Sequence, residues 1–211
     1  MKKITLFTGI LSVAFVCTLG VGIALATPFV ETFQSDIPYA GGTGQYMGAG
    51  DYVTLGFDFE FGPGSITSNI DPGDLTLYQS QDQALEQLGP EWSSGWVDLV
   101  FWSGDEVGEK AALTLTSLIN NYTQDLGTYS IDSLENLDSG YWGLTSYMDA
   151  NTLDAWNTDA WGDLVIEATE GNFLLTSASI SLEPVPEPGT IVLLGLGLAG
   201  LGAMGRRKIR K

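Results

Sequence analysis

Hydrophobic and polar residues alternate with a period of two through the middle of the chain. In residues 52–61, apolar side chains occupy every second position, and threonine, glycine and acidic side chains lie between them. Side chains two residues apart share one face of a β-strand, so this pattern predicts a half-buried strand. The same alternation predicts seven further strands, at residues 74–80, 96–103, 111–119, 128–131, 141–148, 163–169 and 173–182.

Clusters of glycine, proline, asparagine and aspartate separate most of these strands, for example at residues 62–64 and 71–73. Short strands at this spacing favour an all-β fold, either an antiparallel β-sandwich or a jelly-roll-like domain. A further cluster at residues 170–172 predicts a hairpin between the last two strands. Two segments break the alternation: residues 81–88 predict about two helical turns, and residues 148–161 predict a loop with a further helical stretch.

The N-terminus has the pattern of a secretory signal peptide. Lys2 and Lys3 precede an uncharged, mostly apolar segment that ends in Ala24-Leu25-Ala26. A short positive region, an apolar segment and small residues at positions three and one before the cleavage point are typical of such signals. Cleavage is therefore predicted after Ala26. An uncleaved membrane anchor is the alternative, because the uncharged segment is long enough to span a bilayer.

The C-terminus has the pattern of a membrane helix with a cytoplasmic stop. Residues 189–205 carry no charge and would extend about 25 Å as a helix at 1.5 Å per residue, which is enough for a thin bilayer. A basic tail, residues 206–211, closes the chain. Basic segments stay on the cytoplasmic side, so the central part of the chain is predicted to lie on the opposite side of the membrane.

The segment before this predicted helix contains three prolines at residues 184–188, which favour an extended, accessible linker. Three features occur in order: Pro-Glu-Pro, a glycine-rich apolar segment and a basic stop. Together they resemble the PEP-CTERM sorting signal of bacterial surface proteins. The residues that match the motif are Pro186, Glu187 and Pro188, and those that match the basic stop are Arg206, Arg207 and Lys208. The resemblance implies recognition by an exosortase, a membrane protein of Gram-negative bacteria that make extracellular polysaccharide. It implies nothing about the activity of the domain that carries the signal.

Charge is distributed very unevenly along the chain. All 26 acidic residues lie between Glu31 and Glu187, and Lys110 is the one basic residue in residues 27–188, which gives that segment a formal charge of −25. Nucleic-acid binding draws its affinity from cationic side chains, so this function is excluded. The chain has no histidine, and its single cysteine, Cys17, lies in the predicted signal peptide. Histidine-based and thiol-based catalysis are therefore excluded from the central part.

Four acidic residues recur every four or five positions in a loop-like region: Asp149, Asp154, Asp159 and Asp163. Calcium ions need several oxygen ligands close together, and acidic loops on a sandwich can supply them. The ligand spacing of an EF-hand is absent. A structural Ca²⁺ site is therefore one hypothesis, and diffuse binding of divalent cations by a strongly anionic domain is the other.

Six tryptophans lie in the middle of the chain. Flat aromatic faces flanked by carboxylates stack on sugar rings, and Trp156 and Trp161 have the polar surroundings that such a role requires. The alternative is that the tryptophans pack in the core, because tryptophan buries a large apolar area.

The sequence thus predicts three parts: a signal peptide (1–26), an acidic β-sandwich (27–183) and a sorting signal (184–211). The predicted function is that of a cell-surface or matrix protein without catalytic activity and without a required cofactor, sorted by an exosortase. The alternatives are a carbohydrate-binding module that attaches to exopolysaccharide and a permanently membrane-anchored surface protein.

Overall fold

The computed structural model describes residues 28–39, 41–58, 64–81, 91–103, 108–117, 120–159, 161–185 and 195–197. Residues Thr27–Val185 group into one compact unit. The predicted signal peptide with Ala26, the motif residues 186–188 and the basic stop at 206–208 lie outside the described residues. The predicted membrane helix also lies outside them except for residues 195–197, which are helical. No helix within the described residues combines the length and the apolar character needed to cross a membrane.

The described part of the unit is built from antiparallel strands in two main sheets. The strands are β1 (Phe29–Gln34), β2 (Pro38–Tyr39), β3 (Gly42–Thr43), β4 (Gln45–Gly48), β5 (Tyr52–Asp58), β6 (Ser65–Ser68), β7 (Tyr78–Gln81), β8 (Trp92–Trp102), β9 (Lys110–Ser117), β10 (Tyr122–Ser130), β11 (Glu135–Asp138), β12 (Tyr141–Tyr147), β13 (Trp161–Glu170) and β14 (Asn172–Pro184). Sheet 1 has the order β11-β12-β8-β14-β1-β7, with β4 also paired to β14, and sheet 2 has the order β10-β9-β13-β5-β6. One helix, α1 (Ala150–Asp159), and a 3₁₀ turn (Ile131–Ser133) connect strands.

The two sheets share one hydrophobic core because strands of both sheets, such as β1, β8, β9 and β13, turn alternate side chains inward. Phe33 of β1, in sheet 1, packs edge-to-face against Phe57 of β5, in sheet 2, with ring centroids 5.5 Å apart. Phe101 and Phe173 make a second edge-to-face contact at 5.4 Å. The predicted all-β class and the antiparallel pairing are confirmed.

Several predicted elements differ from the structure. The predicted hairpin at residues 170–172 is wrong, because β13 pairs with β5 and β9 in sheet 2 whereas β14 pairs with β8 and β1 in sheet 1. Strand β1 is present although the alternation did not predict it: a buried acid, Glu31, interrupts its apolar positions. The strand predicted at 74–80 is reduced to β7. Of the helix predicted at 81–88, residues 82–88 lie outside the described residues.

A short hairpin of β2 and β3 covers one end of the outer face of sheet 1. A side-chain carbon at Gly42 would lie only 2.3 Å from Cδ2 of Trp102, so the hairpin backbone rests directly on that indole. The hydroxyls of Thr43 and Tyr141 are 3.3 Å apart, and Thr176 Oγ1 donates a 2.7 Å hydrogen bond to the carbonyl of Thr43. The other end of this face has no such hairpin across it among the described residues.

Candidate functional site

The folded unit ends at the residue before the predicted sorting motif. Strand β14 lies between β8 and β1 in sheet 1, and it remains paired as far as Pro184. The amide of Val185 then donates a 2.6 Å hydrogen bond to the carbonyl of Glu91, and Ser94 Oγ donates a 2.8 Å bond to the carboxylate of Glu183. Pro184 and Val185, the first two residues of the predicted accessible linker, therefore belong to the folded unit, and residues 186–188 lie outside the described residues.

Asp149 caps the first turn of α1. Its Oδ1 accepts hydrogen bonds from the amide of Thr152 at 2.7 Å and the hydroxyl of Thr152 at 2.9 Å, and its Oδ2 accepts one from the hydroxyl of Tyr122 at 2.9 Å. Desolvation opposes ionisation, but these hydrogen bonds and one from the Asn151 amide outweigh it and lower the pKa of Asp149. The carboxylate satisfies amides at the N-terminus of the helix, which is a structural role.

The four predicted calcium ligands lie on different elements instead of one loop. Asp149 precedes α1, Asp154 lies within it, Asp159 ends it and Asp163 lies on β13. Asp154 lines an open polar cleft of about 330 Å³ together with Asn120 and Asn151. Among the described residues, no group of three or more acidic side chains is placed to hold a metal ion. The described residues therefore define no position at which several carboxylates meet around an ion, and the calcium site stays a prediction.

The prediction that Trp156 stacks on sugars is wrong. Its side chain is 1% exposed, and its Nε1 donates a 3.2 Å hydrogen bond to the carbonyl of Thr116. A side-chain carbon at Gly162 would lie 2.2 Å from Cε2 of Trp156, so the indole packs directly against the backbone of β13. Because the segment folds as a helix with one face on the core, Trp156 is part of the core and has no face open to a ligand.

Trp161 and Asp163, which the sequence suggested for different ligands, form one pair on the outer face of sheet 2. Nε1 of Trp161 donates a 3.0 Å hydrogen bond to Oδ1 of Asp163. On the neighbouring strand β5, a side-chain carbon at Gly56 would lie 2.8 Å from Cζ2 of Trp161. The ring therefore occupies the space above a glycine of the next strand, and it is only partly buried.

Burial raises the pKa of Asp163, and the hydrogen bond from Trp161 offsets only part of this effect. Because this pKa is higher in the folded than in the unfolded protein, protonation of Asp163 stabilises the fold. The contribution of Asp163 to the free energy of unfolding is complete below the unfolded pKa of about 3.9 and is lost as the pH rises through the folded value. We therefore expect Asp163→Asn to unfold at higher urea concentration than the wild type at pH 7. The gain in the free energy of unfolding should be less than about 1 kcal/mol, because solvent screens a partly exposed carboxylate.

The advantage of Asp163→Asn should disappear when unfolding is measured near pH 3. Asp138→Asn is the control, because it removes the same charge from an exposed position on β11. An equal gain for both variants at pH 7 would attribute the effect to net charge and contradict the role of burial.

A second pair with the same geometry lies on the outer face of sheet 1, and the sequence analysis did not identify it. Nε1 of Trp96 donates a 2.9 Å hydrogen bond to Oδ2 of Asp98, and Thr145 Oγ1 donates a 2.5 Å bond to Oδ1. Tyr147, directly opposite Trp96 on β12, is 71% exposed. The repeated tripeptide Trp-x-Asp, at residues 96–98 and 161–163, is the sequence signal that identifies both pairs.

Comparison with known proteins finds one family. The family model for the PEP-CTERM protein-sorting motif matches residues 184–208. No curated protein matches the chain. Two solved structures with weak similarity are dimeric latent PorU from Porphyromonas gingivalis (TM-score 0.35, 10% identity) and the VP2 subviral particle of infectious bursal disease virus (TM-score 0.29, 9% identity). Each alignment covers 77% of this chain, but only 13% of the PorU chain and 58% of the VP2 chain. Similarity this weak indicates neither a shared fold nor a shared function.

Proposed function

We propose that this chain, which carries a PEP-CTERM protein-sorting motif at residues 184–208, is an exported surface or matrix protein without catalytic activity. The observation that carries the proposal is the position of the motif: its match begins at residue 184, in the last two residues of the folded unit Thr27–Val185, and its Pro-Glu-Pro residues follow that unit directly in sequence. In this proposal an exosortase recognises Pro186, Glu187 and Pro188, while the basic tail keeps the C-terminus on the cytoplasmic side. The folded unit is the exported domain, a β-sandwich in this proposal.

The charge of the exported part supports a role in a matrix. Once both basic ends are removed, residues 27–188 retain 26 acids and one lysine, Lys110, which pairs with Glu170 at 2.9 Å. A domain of this charge concentrates divalent cations around it. In this proposal such ions hold the protein to other anionic components, and a chelator releases it from the cell surface.

Mass spectrometry of the protein recovered from the cell surface tests the processing step. We expect mature material to begin at Thr27 and to lack the C-terminal peptide ending in Lys211. The N-terminal peptide of the same sample is the internal control for export. Recovery of intact chains reaching Lys211 in mature surface material would overturn processing and favour a permanently anchored protein.

Carbohydrate binding is the second candidate function. It is favoured by the tryptophan–aspartate pair on the outer face of sheet 1, because a partly exposed aromatic ring beside a carboxylate suits sugar recognition. An array of neutral and charged glycans, probed with the exported protein with and without Ca²⁺, separates the two candidates. Retention of no glycan under either condition would eliminate this second function.

A further inference from the structure

The outer face of sheet 1 carries aromatic side chains at both ends and shorter residues, among them Asp98, Val100 and Thr145, between them. Along β8, the outward residues run from Trp96 to Trp102, about 20 Å at 3.3 Å per residue. The neighbouring strands β14 and β12 place residues directly beside each of them, on the same face. The rows across β14, β8 and β12 are Ser181–Trp96–Tyr147, Ser179–Asp98–Thr145, Ser177–Val100–Gly143 and Leu174–Trp102–Tyr141.

The two aromatic ends of this face differ in accessibility. Trp102 lies beneath Gly42 of the β2–β3 hairpin, and its neighbour Leu174 is 1% exposed. At the other end, Tyr147 is 71% exposed and Trp96 is only partly buried. The accessible surface is therefore the Trp96–Tyr147 row together with the Asp98 row beside it, and the hairpin closes it at the Trp102 end.

The carboxylate of Asp98 is held in a defined orientation within this surface. One oxygen accepts from the indole of Trp96 and the other from the hydroxyl of Thr145, yet the side chain is not buried. Each carboxylate oxygen can accept a further hydrogen bond. Such an acceptor, fixed next to aromatic rings, matches the two chemistries of a sugar, which has C–H groups on its ring faces and hydroxyl donors around its edge.

We propose that this surface, formed by Trp96, Asp98, Thr145 and Tyr147 with Ser179 and Ser181 beside them, binds an uncharged polysaccharide chain. The sugar rings stack on Trp96 and Tyr147, and their hydroxyls donate to Asp98. Ser181 is buried, at 8% exposed, and forms the floor beside Trp96, while the small, partly exposed side chain of Ser179 leaves room for the chain to lie across the sheet. This inference deepens the second candidate function, carbohydrate binding, and it also requires that the protein is exported to meet the polysaccharide.

Charge selects the class of polysaccharide. Lys110, the one basic residue between residues 27 and 188, lies on β9 in sheet 2 and pairs with Glu170. The outer face of sheet 1 therefore offers carboxylates and hydroxyls but no cation to an incoming ligand. An anionic polysaccharide would bring its charge against Asp98 and a strongly acidic domain, whereas an uncharged one would not.

Sheet 2 lacks the same combination although it has the same tryptophan–aspartate pair. The residue directly opposite Trp161 is Asp58, not an aromatic residue, and burial raises the pKa of Asp163. Tyr52, the exposed tyrosine of that sheet, pairs with Glu167 at the other end of β13. Sheet 2 therefore provides matched control residues: Trp161 for Trp96, and Tyr52 for Tyr147.

Affinity gel electrophoresis of the exported protein tests the proposal. The gels contain soluble uncharged polysaccharides, namely hydroxyethyl cellulose, xyloglucan, mannan and dextran, or the anionic polysaccharide alginate. With a chelator in every gel, so that divalent cations do not bridge the acidic protein to an anionic polymer, we expect at least one uncharged polysaccharide to retard the protein and alginate not to. Trp96→Ala and Tyr147→Ala should each weaken the retardation roughly tenfold, whereas Trp161→Ala and Tyr52→Ala should leave it within about twofold of the wild type.

Tyr147→Ala keeps the test decisive if Trp96→Ala lowers stability, because Tyr147 is largely exposed. C-terminal mass spectrometry of each variant shows whether sorting and processing still occur, so a failure of binding is distinguishable from a failure of the proposed function. The inference is overturned if no uncharged polysaccharide retards the protein, if alginate alone does so, or if the sheet 2 variants lose binding while the sheet 1 variants retain it.

Discussion

Trp156→Ala should lower the free energy of unfolding by about 3–5 kcal/mol, the usual cost of truncating a buried tryptophan. The indole is 1% exposed, lies against Gly162 and donates to the carbonyl of Thr116. Truncation would remove the buried apolar area, leave a cavity between α1 and sheet 2, and remove the indole hydrogen bond to that carbonyl. Urea unfolding followed by far-ultraviolet circular dichroism measures the change.

Trp161→Ala is the matched control for this measurement. Trp161 also packs against a glycine, Gly56, but on the outer face of sheet 2, where its ring is partly exposed. Trp161→Ala should lower the free energy of unfolding by no more than about half as much as Trp156→Ala, because folding buries less apolar area of this partly exposed ring. A Trp156→Ala protein as stable as the wild type, combined with a loss of glycan binding, would contradict the core position of Trp156 and restore its predicted role in stacking.

Glu187→Ala should reduce processing of the chain roughly tenfold or more, if the acidic residue of the Pro-Glu-Pro motif is a principal recognition contact of the exosortase. The expected result is accumulation of full-length chain in the membrane fraction, with the mature form depleted from the cell surface. Quantitative immunoblotting of the two fractions, with C-terminal mass spectrometry, measures the ratio. Export across the inner membrane should not change, because the N-terminal signal is intact.

Glu183→Ala provides the control four residues upstream. Glu183 belongs to β14 in the folded unit, where its carboxylate accepts a hydrogen bond from Ser94, so its removal changes one acidic residue without touching the motif. We expect normal processing of this variant. Equal processing of the Glu187→Ala chain and the wild type would argue against recognition of the motif residue, and defective processing of both variants would point to net charge instead.

Strands with strict alternation were the elements that the sequence predicted best. Residues 52–58 and 111–117 are strands as expected, because one face of each meets the core and the other meets solvent. The strand boundaries are predicted less accurately where backbone pairing extends a strand beyond its alternating pattern. Strand β8 begins at Trp92, four residues earlier than predicted, because β14 pairs with it as far as Pro184. Strand β1 was missed because Glu31 lies inward between Phe29 and Phe33.

The candidate site was predictable only in part. Trp161 and Asp163 were both identified, but for different ligands, since the sequence does not show that one donates a hydrogen bond to the other. Trp156 and Trp161 have similar polar neighbours in sequence, yet the first lies on the buried face of α1 and the second on the outer face of β13. Trp96 and Asp98 were part of a predicted strand, and their value as a site became visible only beside Thr145 and Tyr147.

The sequence by itself determined the all-β class, the formal charge of −25 on residues 27–188 and the sorting motif at residues 184–208. These properties depend on local order or on total charge, which need no three-dimensional context. Only the tertiary structure decided which tryptophans lie in the core, which acids cap a helix and which side chains meet across neighbouring strands. Those outcomes depend on the pairing of segments far apart in sequence, such as β8 with β14, and no local pattern specifies such pairing.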